Sequence, residues 1–522
     1  MTDAGSEHSL QDGICAGSPV ETSNVAPTQV ADTGGPALPQ YLGMSRPRCL
    51  NLSRHLPLVL LMLAYAVRFS DVTVDMLRGY DQNAYDMAIP DQGIWLLSRF
   101  HSPFVTVMGK NLFGDHTSFI FLLLVPVDWI YPHSAALLVI QAVVIAAGAI
   151  PIYLLAQHLL KSTVLATCFA GAYLLSPALQ QGNLEQFHVE AFEASLLALA
   201  IYAAVVWRPR LLLVSIALLL LCKQDVAIYT IPIGLWVAFR RKPGVGTAII
   251  AGSLAVGLLD NFVIVPALLN GIPTTYGGWI PFGGLHGFIE VMIRKPGQLW
   301  VYLTSQGRPW YLWQMIFSTG LAFLVVPEIA LLAILALGEN VISNFPYQHQ
   351  IIYHYSMPPV AILVCGSIYA VSRLSSARRR VLATVAVTLC ALWSCVLWGA
   401  VSFSDHAVSS PNPSLPGDVA IRHLLAQIPP NAVISAANNY VPNLDHRTQI
   451  YLFPNPFSQA YYGDSAHNGQ ELSAAPAVQY LLLPACLSCD SNLKSYQGVF
   501  DRIKGQFHEV NKASSLILYE RT

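Results

Sequence analysis

The side chains that could do chemistry sit where long apolar runs end. The first such stretch reads YDQNAYDMAIPDQGIW, Tyr80 to Trp95. Pro90 and Asp91 have the form of a helix start, because proline suits the first turn and a carboxylate complements the positive end of the helix dipole. Trp95 would anchor that short helix at headgroup depth. Asp86 then lies in the loop just before it. A carboxylate there can take a proton from a hydroxyl or bind a cation. The plain alternative is a solvated loop face for Asp81 and Asp86 and a helix cap for Asp91. GDH, Gly114 to His116, closes the same loop, with Asp115 and His116 as a helix cap or as groups lining a cavity.

Three further stretches have the same character. NLEQFHVEAFE, Asn183 to Glu193, puts Glu185 and His188 three residues apart, so they share a face if the helix starts early. Glu190 and Glu193 lie inside the next apolar pattern and need a partner or a water-filled cavity. CKQDV, Cys222 to Val226, sets Lys223 beside Asp225. These two pair with each other, or the ammonium binds a phosphate as a point charge. YQHQIIYHYSMPP, Tyr347 to Pro359, brings His349, His354 and Tyr355 to another helix start, where aromatic residues ordinarily anchor the headgroup belt. There is no P-loop, no GxGxxG after a strand, no HExxH and no GxSxG, so nucleotide binding, metalloprotease and serine-hydrolase chemistry have no support.

The elements that must position these groups are membrane helices. Hydrophobic residues make up 54% of the 522 and charged ones only 11%, too few charges to cover a water-soluble surface of this size. A net charge of -1 predicts no nucleic-acid partner. Apolar runs at 56–74, 134–160, 163–178, 190–207, 211–223, 226–239, 246–266, 310–324, 328–342, 356–373 and 381–402 give about eleven transmembrane helices. Residues 1–45, polar and rich in Gly, Pro, Ser and Thr, read as a disordered cytoplasmic tail. Residues 46–402 then form the transmembrane domain, with an outer loop at 75–133.

Arg46, Arg48 and Arg54 before the first helix place the N-terminus in the cytoplasm. A further short run, 117–132, contains Pro126, Asp128 and Trp129. If it is re-entrant or interfacial, Lys161, Arg208, Arg210, Arg240, Arg241, Lys242, Arg373 and Arg378 to Arg380 all fall on the cytoplasmic side. If it spans, three of these clusters flip outside. The non-spanning reading therefore follows. It carries Asp75, Asp81, Asp86, Asp91, Asp115, Glu185, Glu190 and Asp225 to the outer face, which the charge rule did not demand, and a carboxylate cluster at one face points to a site.

Beyond residue 402 the pattern changes. Ala432–Ala437, Gln449–Phe453, Val478–Leu483 and Leu516–Tyr519 read as strands, and Ile421–Gln427 and Tyr496–Val510 as helices. Together they predict an extracytoplasmic α/β domain over 403–522. Cys168, Cys222, Cys365, Cys390 and Cys395 fall in apolar runs as packing residues. Cys486 and Cys489 are the close pair, either bridged or free, with no second pair to complete a zinc site.

These motifs resemble a family of bacterial polytopic membrane proteins known as a domain of unknown function. The resemblance is carried by YDMAIPDQGIW, GDH, FHVE, KQDV and SAANNYVPNLDHRTQIYLFP and covers roughly residues 80 to 485. FHVE lacks the family's proline, and KQDV has Gln224 in place of a carboxylate, so Gln224 cannot serve as an acid. The architecture also looks like that of the GT-C glycosyltransferases, which take sugars from polyprenyl-phosphate carriers at the outer membrane face and place an essential Asp in the first outer loop. This likeness implies Asp86 as the catalytic carboxylate, with Asp81 second.

The expectation is thus a mainly α, polytopic, GT-C-like protein that moves a sugar from a polyprenyl-phosphate donor to an acceptor at the outer leaflet. Asp86 would take the acceptor's proton. Lys223, with His188 or a divalent cation, would stabilise the departing phosphate. Asp115, His116, Glu185, Glu190 and Asp225 would line the cavity. A transporter or flippase of a lipid-linked or polar solute is the alternative. It predicts charges at mid-membrane on broken helices, commonly with repeats. A sensor or scaffold would leave the first-loop carboxylates unexplained. The topology has a direct test. In a cysteine-free background, a single cysteine at position 241 should resist labelling from outside; strong labelling there would reverse the assignment.

Overall fold

A computed structural model describes residues 52–269, 272 and 276–522. The tail expected at 1–45 lies outside the described residues. The rest of the chain, Asn51–Thr522, forms one compact unit. It is mainly helical, with a small sheet near its C-terminus.

Among the described residues, five helices are long and apolar enough to cross a membrane: Leu56–Arg78, Ala135–Leu160, Pro243–Leu269, His354–Ser372 and Ala377–Trp398. The first has 23 residues, about 35 Å at 1.5 Å per residue, against a hydrocarbon core of about 30 Å. A sixth is bent by 43° between Thr163–Leu174 and Pro177–Leu184, where Pro177 opens the second half. Glu190–Val206, Pro209–Leu220, Ala227–Arg240 and Pro327–Ile342 are shorter. Eleven is therefore a count of apolar runs, not of helices that each meet the length of the bilayer. Close packing at Gly148 sets the helix spacing. A Cβ there would stand 2.3 Å from the Tyr173 hydroxyl and 2.7 Å from Ser195 Oγ, so only glycine lets these three helices meet.

The short run at 117–132 forms a 3-10 turn, Phe119–Leu123, and a helix, Val125–Ile130. Together they cover about 18 Å, too little to span. They pack on the outer-loop helix Ile89–Ser98: Trp129 Nε1 donates to the Ser98 carbonyl at 2.8 Å and Ser98 Oγ to Asp128 at 2.6 Å. The run expected at 310–324 is not continuous. Its helix, Arg308–Phe317, ends before a 3-10 turn at Ala322–Val325. Leu285–Arg294 and Pro296–Leu303 are helices that lie outside the apolar runs. Charged Glu290 and Arg294 interrupt the first of them, while Leu285, Ile289, Met292 and Ile293 stay exposed.

In the outer loop, β1 (Phe104–Val105) and β2 (Lys110–Asn111) form a small hairpin. The C-terminal sheet contains β3 (Ile434–Ala436), β4 (Ile450–Leu452), β5 (Tyr480–Pro484), β6 (Phe507–Ala513) and β7 (Leu516–Arg521) in the order β4-β3-β5-β7-β6. β3 is parallel to β4 and β5; β7 is antiparallel to β5 and β6. Successive side chains point to opposite faces. Ile434, Ala436, Ile450 and Leu482 join the core shared with the membrane helices, while Tyr451, Phe453, Leu481 and Leu483 build a second core under the helix Gln497–Ile503. Four strands match the sequence expectation. β6 does not: the helix expected over Tyr496–Val510 stops at Ile503 and an edge strand follows. Its five central residues are exposed, so no apolar alternation marked it. Cys486 and Cys489 are disulfide-bonded.

The Thr106 hydroxyl bonds the outer loop directly to β4. Thr106 Oγ1 donates to the Ile450 carbonyl at 2.6 Å and accepts from the Ile450 N–H at 2.9 Å and from Gln92 Nε2 at 3.1 Å. Thr106→Val would leave these buried groups unpaired, at a cost of about 1–3 kcal/mol. A lower thermal unfolding midpoint in detergent is expected for Val, with Thr106→Ser close to wild type.

Candidate functional site

The loop carboxylate is presented by a cap. Asn83 Oδ1 accepts from the Asp86 N–H at 2.9 Å, and Asn83 Nδ2 donates to Asp86 Oδ2 at 2.8 Å. Asn83 is held in turn by Gln186, whose Oε1 accepts its N–H at 2.9 Å. Asp86 thus sits at the middle of the turn Ala84–Ala88, half-buried, with one carboxylate oxygen bonded by the cap.

Facing it is a cluster assembled from three distant stretches. The bent second half-helix ends at Glu185. Its Oε2 accepts from His354 Nδ1 at 2.9 Å and lies 3.9 Å from His188 Nε2. The His188 and His354 rings stack at 3.6 Å. His354 Nε2 stands 3.8 Å from Glu190 Oε1, and that same oxygen accepts from Lys223 Nζ at 2.8 Å. Lys223 also lies 3.5 Å from Asp225. Its ammonium is 5.6 Å from the centre of the Tyr355 ring. The pairing of Lys223 with Asp225 therefore exists, but Glu190 is the nearer partner and the one buried with it.

The other expected residues are spread around this cluster. His116 exchanges a hydrogen bond with Gln224 at 3.1 Å, so Gln224 positions the GDH histidine although it can supply no acid. Asp115 ends the short helix Leu112–Asp115, half-buried beside Lys110 and His116. Asp81 stays at the surface with no side-chain hydrogen bond or ion pair among the described residues. Glu193, which the sequence marked as needing a partner but gave no role, and Tyr229, Glu339 and Asn340, which it did not assign to the site, border Glu190, Lys223 and Asp225 around a cavity of about 10 Å³, room for roughly one water. Tyr229 donates to Glu339 at 3.0 Å, and Asn340 donates to the Tyr311 hydroxyl at 2.7 Å and to the Tyr355 carbonyl at 2.9 Å. The polarity of Glu193 and Glu339 within apolar runs was the available signal. A second cavity, of about 540 Å³, is bordered by Gln306, Trp310, Gln314, Asn344 and His349.

Asp91 differs from its expected role. It is buried at 3% exposure and faces His446 at 3.2 Å, because the C-terminal segment packs on the helix it was expected only to cap.

Electrostatics follow from burial. Burial pushes the Glu185 carboxyl up to about 8, with Asp86 adding to the rise and His188 opposing it. Burial and the neighbouring His354 hold the His188 imidazole below its usual value. Glu185, His188 and His354 each offer one ligand atom, all within 4.8 Å of one another. One carboxylate and two imidazoles suit a divalent transition-metal ion.

The many-helix membrane fold has counterparts among solved structures. It matches the crystal structure of ArnT from Cupriavidus metallidurans bound to undecaprenyl phosphate with a TM-score of 0.51 at 11% identity, over 88% of this chain and 97% of that one. The apo-state structure of that protein gives a TM-score of 0.50 at 12% identity over the same shares. Identity this low shows a shared fold alone. The family model described as "Predicted membrane protein (DUF2079)" matches residues 80–513, and the chain belongs to that family. It is a multi-pass membrane protein. No curated protein matches it.

The raised Glu185 carboxyl gives a pH-dependent stability of known sign. The folded state holds its proton between the ordinary value near 4.5 and about 8, whereas the unfolded chain does not. That contribution to stability is full below about pH 4.5, declines as pH rises, and levels off above about pH 8. Glu185→Gln removes the decline. Its unfolding midpoint should gain on wild type from pH 5 to pH 8, by about 2–4 kcal/mol in stability. Parallel pH profiles for the two proteins would contradict the assignment.

Proposed function

We propose that the chain is a glycosyltransferase that moves a sugar from a polyprenyl-phosphate donor to an acceptor at the outer membrane face. The observation that supports this most is the capped, half-buried Asp86 set against the cluster of Glu185, His188, His354, Glu190 and Lys223. The shared fold with a protein crystallised with undecaprenyl phosphate supports the class of donor. The outer placement of the site follows the charge pattern of the loops.

In this reading Asp86 accepts the proton of the acceptor hydroxyl. The oxygen bonds to the anomeric carbon as the bond from that carbon to the phosphate oxygen breaks, and the phosphate leaves with the electron pair. Lys223 supplies positive charge on the departing side. It is already balanced by Glu190 and Asp225, so the cluster as a whole is negative and repels a phosphate. A divalent cation on Glu185, His188 and His354 would offset that charge and stabilise the leaving group. His116 lies within electrostatic reach of Lys223, Asp225 and Glu190 with Asp115 next to it, and it is oriented by Gln224. Asp81, at the surface, is the reserve candidate for the base.

Asp86→Asn keeps the cap from Asn83 but loses the basicity. Transfer of radiolabelled sugar from a polyprenyl-phosphate donor by purified protein should fall about a hundredfold or more, with the unfolding midpoint held. Full activity in Asp86→Asn would transfer the role to Asp81. Absence of donor turnover by wild type, together with specific solute uptake into proteoliposomes, would replace the enzyme by a transporter.

A further inference from the structure

The triplet Asp445–Arg447 has no part in the site above, yet it buries charge in an unusual way. Asp91 and Asp445 come from the outer-loop helix and the C-terminal segment, and they are 3% and 1% exposed. His446 closes the group, its ring stacked on Trp95 at 6.0 Å. Among the described residues, the Oδ2 atoms of Asp91 and Asp445 and Nε2 of His446 have no hydrogen-bond partner beyond the facing of Asp91 and His446. One ligand atom from each residue lies within 4.8 Å of the others. Asp91 Oδ2 and His446 Nε2 are 3.2 Å apart. Two donors bound to a tetrahedral ion at about 2.0–2.1 Å stand about 3.3 Å from each other.

The nearby arginines are engaged elsewhere. Arg447 donates to the carbonyls of Leu444 and Ala432, and Arg99 faces Asp128 at 3.9 Å. Two carboxylates and an imidazole therefore border one small space, and the one guanidinium that acts on Asp445, that of Arg447, spends its hydrogen bonds on backbone carbonyls. Charges so placed require a cation or must give up ionisation.

We propose that Asp91, Asp445 and His446 bind a divalent transition-metal ion, and that this ion fastens the outer-loop helix to the C-terminal sheet. Zn²⁺ is the best match. Oxygen donors alone would suit Mg²⁺ or Ca²⁺, whereas the imidazole nitrogen moves the preference to zinc. Water completes the coordination. The role is structural, and it does not depend on the reaction proposed above. The competing occupant is a proton shared between the two carboxyl groups.

The test uses the full chain, purified in detergent through a tag without histidines, stripped with EDTA and desalted. Zn²⁺ alone is the probe. Bound zinc is counted by mass spectrometry of the metal, and unfolding midpoints are read with and without Zn²⁺. Wild type should bind zinc and unfold at a higher temperature in its presence. Asp445→Asn should bind about one fewer Zn²⁺ per chain, or bind it at least about tenfold more weakly, and lose the thermal gain. His446→Gln should do the same; its site is partly open, so it serves if Asp445→Asn does not fold. His188→Gln removes a ligand from the separate cluster only, so it should still bind zinc at this site and keep the share of the thermal gain that Asp445→Asn loses. Failure of wild type to bind zinc would overturn the proposal. So would equal zinc binding and equal thermal gain in wild type, Asp445→Asn and His446→Gln, and the shared proton would then account for the pair.

Discussion

A buried ammonium among carboxylates governs the candidate site. Lys223 is 6% exposed and lies between Glu190 at 2.8 Å and Asp225 at 3.5 Å. Removing one member of such a group leaves the other uncompensated, which is far more costly than the modest worth of an exposed pair. The turn after Pro209–Leu220 is therefore fixed to the start of Glu190–Val206. The Tyr355 ring beside Lys223, and His354 beside Glu190, draw in the start of Met357–Ser372. The helix ends converge because their charges have no other place to be satisfied.

A second constraint acts above the first. The outer loop has little core of its own and is bonded to the sheet at several points. Thr106 engages β4. The Ala84 N–H donates to Asn438 Oδ1 at 2.9 Å, immediately before Asp86. Ser134 donates to the Pro442 carbonyl at 3.0 Å. The segment from Ser435 to Arg447, which reads as a motif in sequence, is thus the surface that holds the loop in place. Its asparagines and its Asp445 act on the backbone and helix of a stretch far away in the chain.

What could be read beforehand was local. Apolar runs marked the long helices, and alternation marked four strands. Ionisable residues at the ends of runs marked Asp86, Glu185, His188, Glu190, Lys223 and Asp225, whose positions the fold brings to one region. What could not be read was pairing across the chain. Tyr229 looks like any aromatic residue in an apolar helix, and only Glu339 opposite shows its use. Asp91 carried every local sign of a cap, and the residues that bury it are more than 350 positions later. β6 is an edge strand whose exposed middle carries no apolar alternation, held by β7 and by Phe507 and Ala513 buried at its two ends.

The bond between Thr106 and β4 spans 344 positions. At a synthesis rate of about 5–20 residues per second, the ribosome needs roughly 20–70 s to make the partner after the loop has emerged. During that interval the loop has its membrane neighbours but lacks its clasp. The segment bearing Asp86 reaches its finished form only after the last fifth of the chain has been made and has folded. Competence is therefore conferred late in biogenesis, and an interrupted polypeptide could occupy the bilayer with most of its helices while lacking the support that orients its loop.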